Sequence, residues 1–134
     1  MAATFHLEIV TPDKQVVADS AEELQLPGKG GYLGILPGHA PLITELDVGE
    51  LSYRRDGRTV HLAIAWGFAE VLPDQVTILA ETAERAEEID AARAQRAKDR
   101  AETRLQKLEA GTDFPRASSA LQRALTRLLV AGKK

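Results

Sequence analysis

The apolar residues of this chain change their spacing near Thr82. Before that point they alternate with polar residues in short runs, as in Phe5–Val10 and residues 59–65. A period of two is typical of strands that bury one face. After it, residues 83–109 contain neither glycine nor proline and are rich in Ala, Glu, Arg and Lys. We therefore expect a β part followed by a helical part.

The first part of the chain carries turn signals at intervals that suit an all-β fold. Two-residue turn formers separate its apolar runs, namely Pro12-Asp13, Pro27-Gly28, Pro37-Gly38, Asp56-Gly57 and Pro73-Asp74. Short strands at this spacing predict an antiparallel sandwich or barrel. No stretch before Ala80 keeps a helical period over about ten residues, which argues against a parallel α/β fold. We therefore expect a β domain over residues 1–84.

The second part, residues 85–134, predicts an antiparallel pair of helices. Small and apolar residues share one face of the first helix, namely Ala94, Ala97, Ala101, Leu105 and Leu108. Gly111 and Pro115 mark a short break, after which a second helix follows. Because alanine buries little surface, this hairpin gains less from packing than a leucine-rich one. We expect it to be stable only on the sheet, a ligand or a partner, which suits a conformational switch.

The composition excludes several chemistries. The chain has no cysteine, which removes disulfides, thiol catalysis and the usual structural zinc ligands. His6, His39 and His61 match no metal-binding spacing, and we expect the side chains of His6 and His61 to face solvent. Residues 28–31, G-K-G-G, lack the Ser or Thr of a phosphate loop and predict a plain turn. We expect neither a catalytic nor a metal site.

Charge is spread unevenly along the chain. Residues 1–83 hold five Lys and Arg against twelve Asp and Glu, whereas residues 84–134 hold twelve against eight. Such asymmetry suggests that the two parts meet different partners. Nucleic acid is a poor candidate, because the chain is acidic overall, at −3, and offers no aromatic stacking platform. Without an apolar run of ~20 residues or a signal peptide, we expect a cytoplasmic protein with no transmembrane segment.

Residues 32–42 pack apolar side chains between turn formers. Two prolines, Pro37 and Pro41, flank Gly38 and His39. One interpretation is the rigid end of a hairpin. The other is a preformed contact loop, because stiff loops with accessible polar tips lose little entropy on binding.

Residues 89–94, I-D-A-A-R-A, begin the first helix. Asp90 suits an N-cap, and the free N–H groups of a helix start attract anions. In an antiparallel hairpin, Arg93 lies near Arg127, with Arg123 one turn away on the same face. Three converging guanidinium groups would suit a polyphosphate. The alternative is an i,i+3 pair of Asp90 and Arg93, with the other arginines solvated.

Three segments strongly resemble the epsilon subunit of bacterial F-type ATP synthases. They read L-G-I-L-P-G-H-A-P-L at residues 33–42, G-F-A-E-V-L-P-D-Q-V-T-I-L-A-E-T-A-E-R at residues 67–85, and I-D-A-A-R-A at residues 89–94. The resemblance covers the whole chain in order. It implies an N-terminal antiparallel β-sandwich of about ten strands, followed by a C-terminal two-helix hairpin. It also implies a non-catalytic regulatory subunit that couples proton translocation to ATP synthesis.

The resemblance implies a set of partners. The sandwich would bind the gamma subunit and sit on the c-ring, with Tyr32, Gly38 and His39 in the ring-facing region. The hairpin would extend into the alpha/beta hexamer, contact an acidic segment of the beta subunit and inhibit ATP hydrolysis. The protein would then be peripheral, at the cytoplasmic face of the bacterial plasma membrane.

The resemblance further implies that ATP is a regulatory ligand, with no cofactor required. Ile89, Asp90 and Ala94 would contact the adenine, the three arginines at 93, 123 and 127 would bind phosphates, and Glu84 is an accessory position. Bound ATP would hold the hairpin folded and oppose inhibition. A free-standing ATP-sensing module, with no gamma partner, is the alternative.

Overall fold

The computed structural model describes residues 3–107 and 111–133. Eight strands precede two α-helices in this part of the chain. The strands are β1 (Phe5–Val10), β2 (Gln15–Ala21), β3 (Glu23–Gly28), β4 (Gly31–Ile35), β5 (Leu42–Leu46), β6 (Gly49–Arg55), β7 (Arg58–Val71) and β8 (Gln75–Arg85). One 3-10 turn, Ala86–Glu88, then leads into α1 (Ala91–Gln106) and α2 (Phe114–Ala131). The predicted order of a β part and a helical hairpin is confirmed.

The strands form a sandwich whose two layers share β7. Its first half pairs with β6, and β6 continues to β3 and β4. Its second half pairs with β5, while β8, β1 and β2 follow on the other side. The pairing of β1 with β8 is parallel, and the other described pairings are antiparallel. Six strands lie between β1 and β8 in the chain, so no short hairpin forces this pair to be antiparallel.

The sandwich has eight strands in the described residues where the resemblance implied about ten, because two of them are long. β7 has 14 residues and β8 has 11, and each strand extends through both layers of the sandwich. β7 bends at Trp66 and Gly67, whose φ angles are 53° and 130°. A Cβ on Gly67 would overlap the carbonyl oxygen of Leu79, so only glycine fits this bend.

The alternation of apolar residues matches the buried face. Leu7 and Ile9 of β1, and Leu62 and Ile64 of β7, are fully buried in one core. His6 faces solvent as expected, but the expectation for His61 was wrong. The side chain of His61 is 23% exposed and contacts Glu50, because the end of the hairpin covers this outer surface of the sandwich.

The helical hairpin packs through small residues. Ala94 and Ala101 of α1 are buried, as are Ala117 and Ala124 of α2. The expected alanine stripe is therefore present, although Leu108 lies outside the described residues. Aspartates cap both helices: Asp90 accepts from the N–H of Arg93 at 3.0 Å, as predicted, and Asp113 caps α2 in the same way.

The hairpin rests on the sandwich through a second, smaller apolar cluster. Its members are Ala63, Ala86, Ile89, Val130 and Ala131. The end of α2 thus packs against β7 and the turn before α1. Beside this cluster, a cleft lies between α1 and the β1–β2 turn.

Candidate functional site

The cleft lies between the N-terminal part of α1 and the sandwich. Its volume is about 550 Å³, within the range of small-molecule sites. One wall is a face of α1 that carries Arg93, Ala94, Ala97 and Arg100. The opposite wall comes from β8 and the β1–β2 turn, namely Thr11, Asp13, Lys14, Glu81, Thr82, Ala83 and Glu84. Both domains therefore contribute to one site.

The start of α1 positions the first group of predicted site residues. Asp90 lines the cleft, but its carboxylate is occupied as the N-cap of the helix. Ile89 is only 4% exposed, because its side chain fills the small apolar cluster beneath the hairpin. Ile89 thus anchors the helix start, whereas Arg93 projects from an exposed position on the cleft wall.

Arg127 reaches the same cleft from α2. Its Nε donates to Oε1 of Glu84 at 2.5 Å, and both side chains are about one third exposed. This charge-assisted hydrogen bond joins α2 to β8. The structure therefore brings Glu84, Arg93, Ala94 and Arg127, four of the residues that the resemblance assigns to the nucleotide, to one cleft.

Arg123 occupies a different place. Its guanidinium lies 5.0 Å from the centre of the Trp66 ring, over the bend of β7. A cation over an indole face gains about 0.5–1 kcal/mol at an exposed site. Sequence spacing left two interpretations open, three converging arginines or solvated ones. Of these three, the structure brings Arg93 and Arg127 to the cleft and stacks Arg123 beside it on the indole of Trp66.

Two cations of the cleft were missed by the sequence reasoning. Arg100 follows Arg93 by seven residues, which is two helical turns, so the helical period could have found it. Lys14 gave no sequence signal. It comes from a turn almost eighty residues away in sequence, and only the tertiary fold brings it to the hairpin.

A second ionic contact holds the end of the hairpin. Nζ of Lys133 donates to Oε2 of Glu50 at 2.6 Å, and Nδ1 of His61 lies 2.7 Å from Oε1 of the same carboxylate. Burial by itself raises the pKa of Glu50. The hydrogen bonds and charges of Lys133 and His61 outweigh this, so the pKa is lowered from its ordinary value of 4.5.

The predicted contact residues lie along one strand and the loop that follows it. Tyr32 of β4 is 61% exposed, and its hydroxyl accepts from the N–H of Glu50 at 3.1 Å. Gly38, at φ 85°, donates its N–H to the carbonyl of Pro73 at 2.8 Å. Nδ1 of His39 lies 2.6 Å from the carbonyl oxygen of Ala40. These hydrogen bonds hold the loop rigidly. Tyr32 lies roughly 10 Å along β4 from Ile35, where the strand ends and the loop begins.

Exposed apolar side chains form a patch on the outer surface of β5, β7 and β8. Ile43, Phe68 and Leu79 are each more than half exposed, and Phe68 and Leu79 are cross-strand partners. Scattered apolar residues are normal on a surface, but a contiguous group of large ones marks an interaction site.

Neither α1 nor α2, over the part of the chain that the structure describes, has the length and apolarity to cross a membrane. Within the same residues, no group of three or more His, Asp or Glu side chains has the geometry of a metal site.

Family models match both parts of the chain. Residues 4–86 match the beta-sandwich domain of the ATP synthase Delta/Epsilon chain, and residues 87–132 match its long alpha-helix domain. An ATP synthase epsilon chain of Koribacter versatilis is 74% identical over 106 residues, covering 79% of this chain and 75% of the relative. The epsilon chain of Nitratidesulfovibrio vulgaris is 49% identical and covers 98% of each chain.

Solved structures share the fold at low identity. A chain of the Euglena gracilis mitochondrial ATP synthase superposes with a TM-score of 0.83 at 23% identity, covering 100% of this chain and 84% of that one. A chain from the central stalk and c-ring structure of the Tetrahymena thermophila mitochondrial ATP synthase gives a TM-score of 0.58 at 13% identity, covering 98% and 96%.

Proposed function

The chain belongs to the ATP synthase epsilon family and is a rotor subunit of an F-type ATP synthase, and from this premise we propose that its hairpin is an ATP-controlled brake. ATP bound in the cleft holds the hairpin on the sandwich. Without ATP, the hairpin is released towards the catalytic hexamer and inhibits hydrolysis. The subunit performs no catalysis of its own.

The cleft is the observation that carries this proposal. Its arginines, Arg93, Arg100 and Arg127, stand on two helices and face β8 of the sandwich. Arginine suits phosphate, because its planar guanidinium donates two parallel hydrogen bonds to phosphate oxygens. A volume of about 550 Å³ accommodates a nucleotide. A ligand there contacts both domains and therefore stabilises their association.

Docking of the hairpin is weak enough for a ligand to control. The small apolar cluster contains three alanines and only two larger residues, Ile89 and Val130. The ion pairs of Arg127 and Lys133 are partly exposed, and such pairs contribute about 0–1 kcal/mol each. A ligand at a hundred times its Kd adds about 2.7 kcal/mol, which exceeds the contribution of these two ion pairs together.

The pairing of Arg127 with Glu84 also favours a triphosphate. Arg127 donates to Glu84 through Nε, so its terminal N–H groups remain for phosphate, and a ligand with more negative charge offsets the neighbouring carboxylate better. We therefore expect ATP to bind more tightly than ADP.

The other partners follow from the surfaces of the sandwich and the hairpin. The exposed apolar patch of Ile43, Phe68 and Leu79 supports an interface with the gamma subunit. The rigid loop of Gly38 and His39, together with Tyr32, supports a contact with the c-ring. The cationic hairpin suits an acidic segment of the beta subunit. Such a subunit sits peripherally at the cytoplasmic face of the bacterial plasma membrane.

Calorimetric titration of the full chain with ATP and with ADP tests the proposal. Wild type should bind ATP more tightly than ADP, and Arg93→Ala should weaken ATP binding about 10–100-fold, as expected for hydrogen bonds to a charged group. Arg96→Ala is the matched control, since Arg96 is exposed on the same helix outside the cleft. Equal binding by both variants would remove the cleft as the ATP site.

The same variants in a reconstituted synthase test the brake. Arg93→Ala should inhibit hydrolysis at ATP concentrations that release the wild-type enzyme, whereas Arg96→Ala should behave as wild type. A chain that binds ATP but fails to associate with the gamma subunit would instead be a free-standing ATP-sensing module.

A further inference from the structure

We propose that Trp66 is a positioning residue for the hairpin: its indole, carried by the bend of β7, receives the guanidinium of Arg123 and fixes where α2 lies on the sandwich. The inference rests on the proposed function, since it concerns the docked hairpin that leaves hydrolysis free. It needs no bound nucleotide, because the contact is formed within the chain itself.

The backbone of Trp66 is unusual for a bulky residue. Its φ angle of 53° lies in the left-handed region, which residues with a Cβ rarely adopt. Glycine adopts that region at little cost, and the next residue of the bend, Gly67, is a glycine at φ 130°. A tryptophan therefore strains this position where a glycine would not. Such strain is typical of residues whose side chain makes a functional contact.

The apolar cores do not explain the tryptophan. Trp66 is only partly buried and, within the residues that the structure describes, it belongs neither to the main core nor to the small cluster beneath the hairpin. Ile64 and Ala69, on either side of the bend, are buried in the main core. The packing of the two layers at the bend is therefore supplied by these neighbours rather than by the indole.

The indole instead contacts α2. The guanidinium of Arg123 lies 5.0 Å from the centre of the ring, inside the limit of about 6 Å for a cation–π contact, and indole is the most favourable ring for it. Unlike Arg127, Arg123 forms no ion pair in the part of the chain that the structure describes. Its planar group is therefore available to stack on the ring.

Two neighbouring contacts then set the position of α2. Arg123 and Arg127 lie one turn apart on the same face of the helix. Arg123 contacts the bend of β7, and Arg127 contacts Glu84 of β8. The alanines of the small cluster alone would let the helix slide, because small side chains interlock little. Contacts to two different strands fix its place.

Hydrogen exchange of the α2 amides in the full chain measures docking without a tryptophan probe, since undocked helices of this length are marginal. Trp66→Leu removes the ring and should speed the exchange about 2–5-fold, the size expected for one exposed cation–π contact. Trp66→Phe keeps a ring and should speed it less than about 2-fold. Phe68→Leu is the matched control: Phe68 is an aromatic residue of the same strand, is 55% exposed, and its loss should leave the exchange unchanged.

Variants of Arg123 test the pair. Arg123→Gln should speed the exchange as much as Trp66→Leu, and Arg123→Lys should retain most of the docking because it keeps the cation. The double variant Trp66→Leu with Arg123→Gln should exchange no faster than either single variant, since both remove one contact. Independent, additive effects would overturn that contact.

Two further variants test the backbone of the bend. Trp66→Gly and Trp66→Ala both lack the ring and should show the same fast exchange in α2. Their urea midpoints, followed by circular dichroism, should differ. Trp66→Gly should unfold at the higher urea concentration, because only glycine is unstrained at φ 53°. An equal or lower midpoint would overturn the strain at this position.

The outcomes separate this inference from the brake. If Trp66→Leu leaves the exchange of α2 at the wild-type rate, or if Trp66→Phe exchanges as fast as Trp66→Leu, the positioning role of the ring is overturned. In a reconstituted synthase, Trp66→Leu should inhibit hydrolysis more than wild type, because the hairpin is released more often. Faster exchange with unchanged inhibition would leave the positioning role standing and overturn the proposed brake.

Discussion

Leucine, isoleucine and valine fill most core positions of the sandwich, whereas the interior of the hairpin is made mainly of alanine. At about 25 cal/mol per Å² of apolar surface, each large side chain gains about 1.5–3 kcal/mol on burial and an alanine far less. The sandwich therefore has a fold fixed by its own packing. The position of the hairpin depends on what else it contacts.

The contact between the two regions shows the same difference. Apart from Ile89 and Val130, it is made by alanines, by the Arg127–Glu84 and Lys133–Glu50 pairs, and by Arg123 on Trp66. Charged contacts weaken in salt, and burial of leucine does not. One region can therefore stay folded while the other changes place, as the proposed function requires.

The largest effect is expected from Gly67→Ala, in the bend that both layers share. The new Cβ would overlap the backbone of β8 at a φ that disfavours side chains, so we expect a loss of about 3–5 kcal/mol. Urea unfolding of the full chain measures it. Gly30→Ala is the control, because Gly30 has open space around it. If both variants unfold alike, the bend does not hold the sandwich together.

A smaller effect, confined to the hairpin, is expected from the Arg127–Glu84 pair. In a double-mutant cycle of Arg127→Gln and Glu84→Gln, the coupling should be about 0.5–1 kcal/mol at low salt and vanish near 1 M. Trp66, the only tryptophan, reports docking by its fluorescence because Arg123 lies on its ring. The urea midpoint of the sandwich should not move.

The control for this cycle is the Lys98–Glu102 pair, which lies within α1 at 3.2 Å. Lys98→Gln should leave the fluorescence of Trp66 unchanged. A shift as large as that of Arg127→Gln would mean that any loss of helix charge undocks the hairpin.

The smallest effect is a difference in pH response. Because the pKa of Glu50 is lower than 4.5 in the folded protein, its contacts stabilise docking above that pH and are lost as the pH falls through the folded value. Burial and then the hydrogen bond to Asp19 raise the pKa of Tyr53 to about 12, so its contribution to the sandwich is lost as the pH rises from 10 to 12.

The two pH responses should therefore report different regions. Acid titration of Trp66 fluorescence should show undocking, and Glu50→Gln should weaken that response. Alkaline titration by circular dichroism should show loss of the sandwich, and Tyr53→Phe should shift it to higher pH. If both probes are followed over the whole pH range, undocking and loss of the sandwich at the same pH would contradict independent regions.

Local patterns predicted the elements, and tertiary contacts decided the site. Alternation was enough to identify Leu7 and Leu62 as core residues, because the period of a strand is a local property. The Asp90 cap is equally local. In contrast, the position of Lys14 and the stacking of Arg123 depend on segments that meet only in the folded chain. The expected full exposure of His61 failed for the same reason, since the hairpin partly covers an otherwise outward face.

The short connection between β8 and α1 makes the hairpin a lever. Only the 3-10 turn Ala86–Glu88 and two further residues separate the strand from the helix. α1 is 16 residues long, or about 24 Å, and its cleft residues run from Arg93, near this pivot, to Arg100, just past the middle of the helix. When the hairpin turns about this connection, the end of the hairpin farthest from it therefore moves through a longer arc than a ligand in the cleft. The same change in free energy corresponds to a smaller force at the tip, so a partner that contacts the tip would need less force to undock the hairpin than the proposed nucleotide in the cleft would need to hold it.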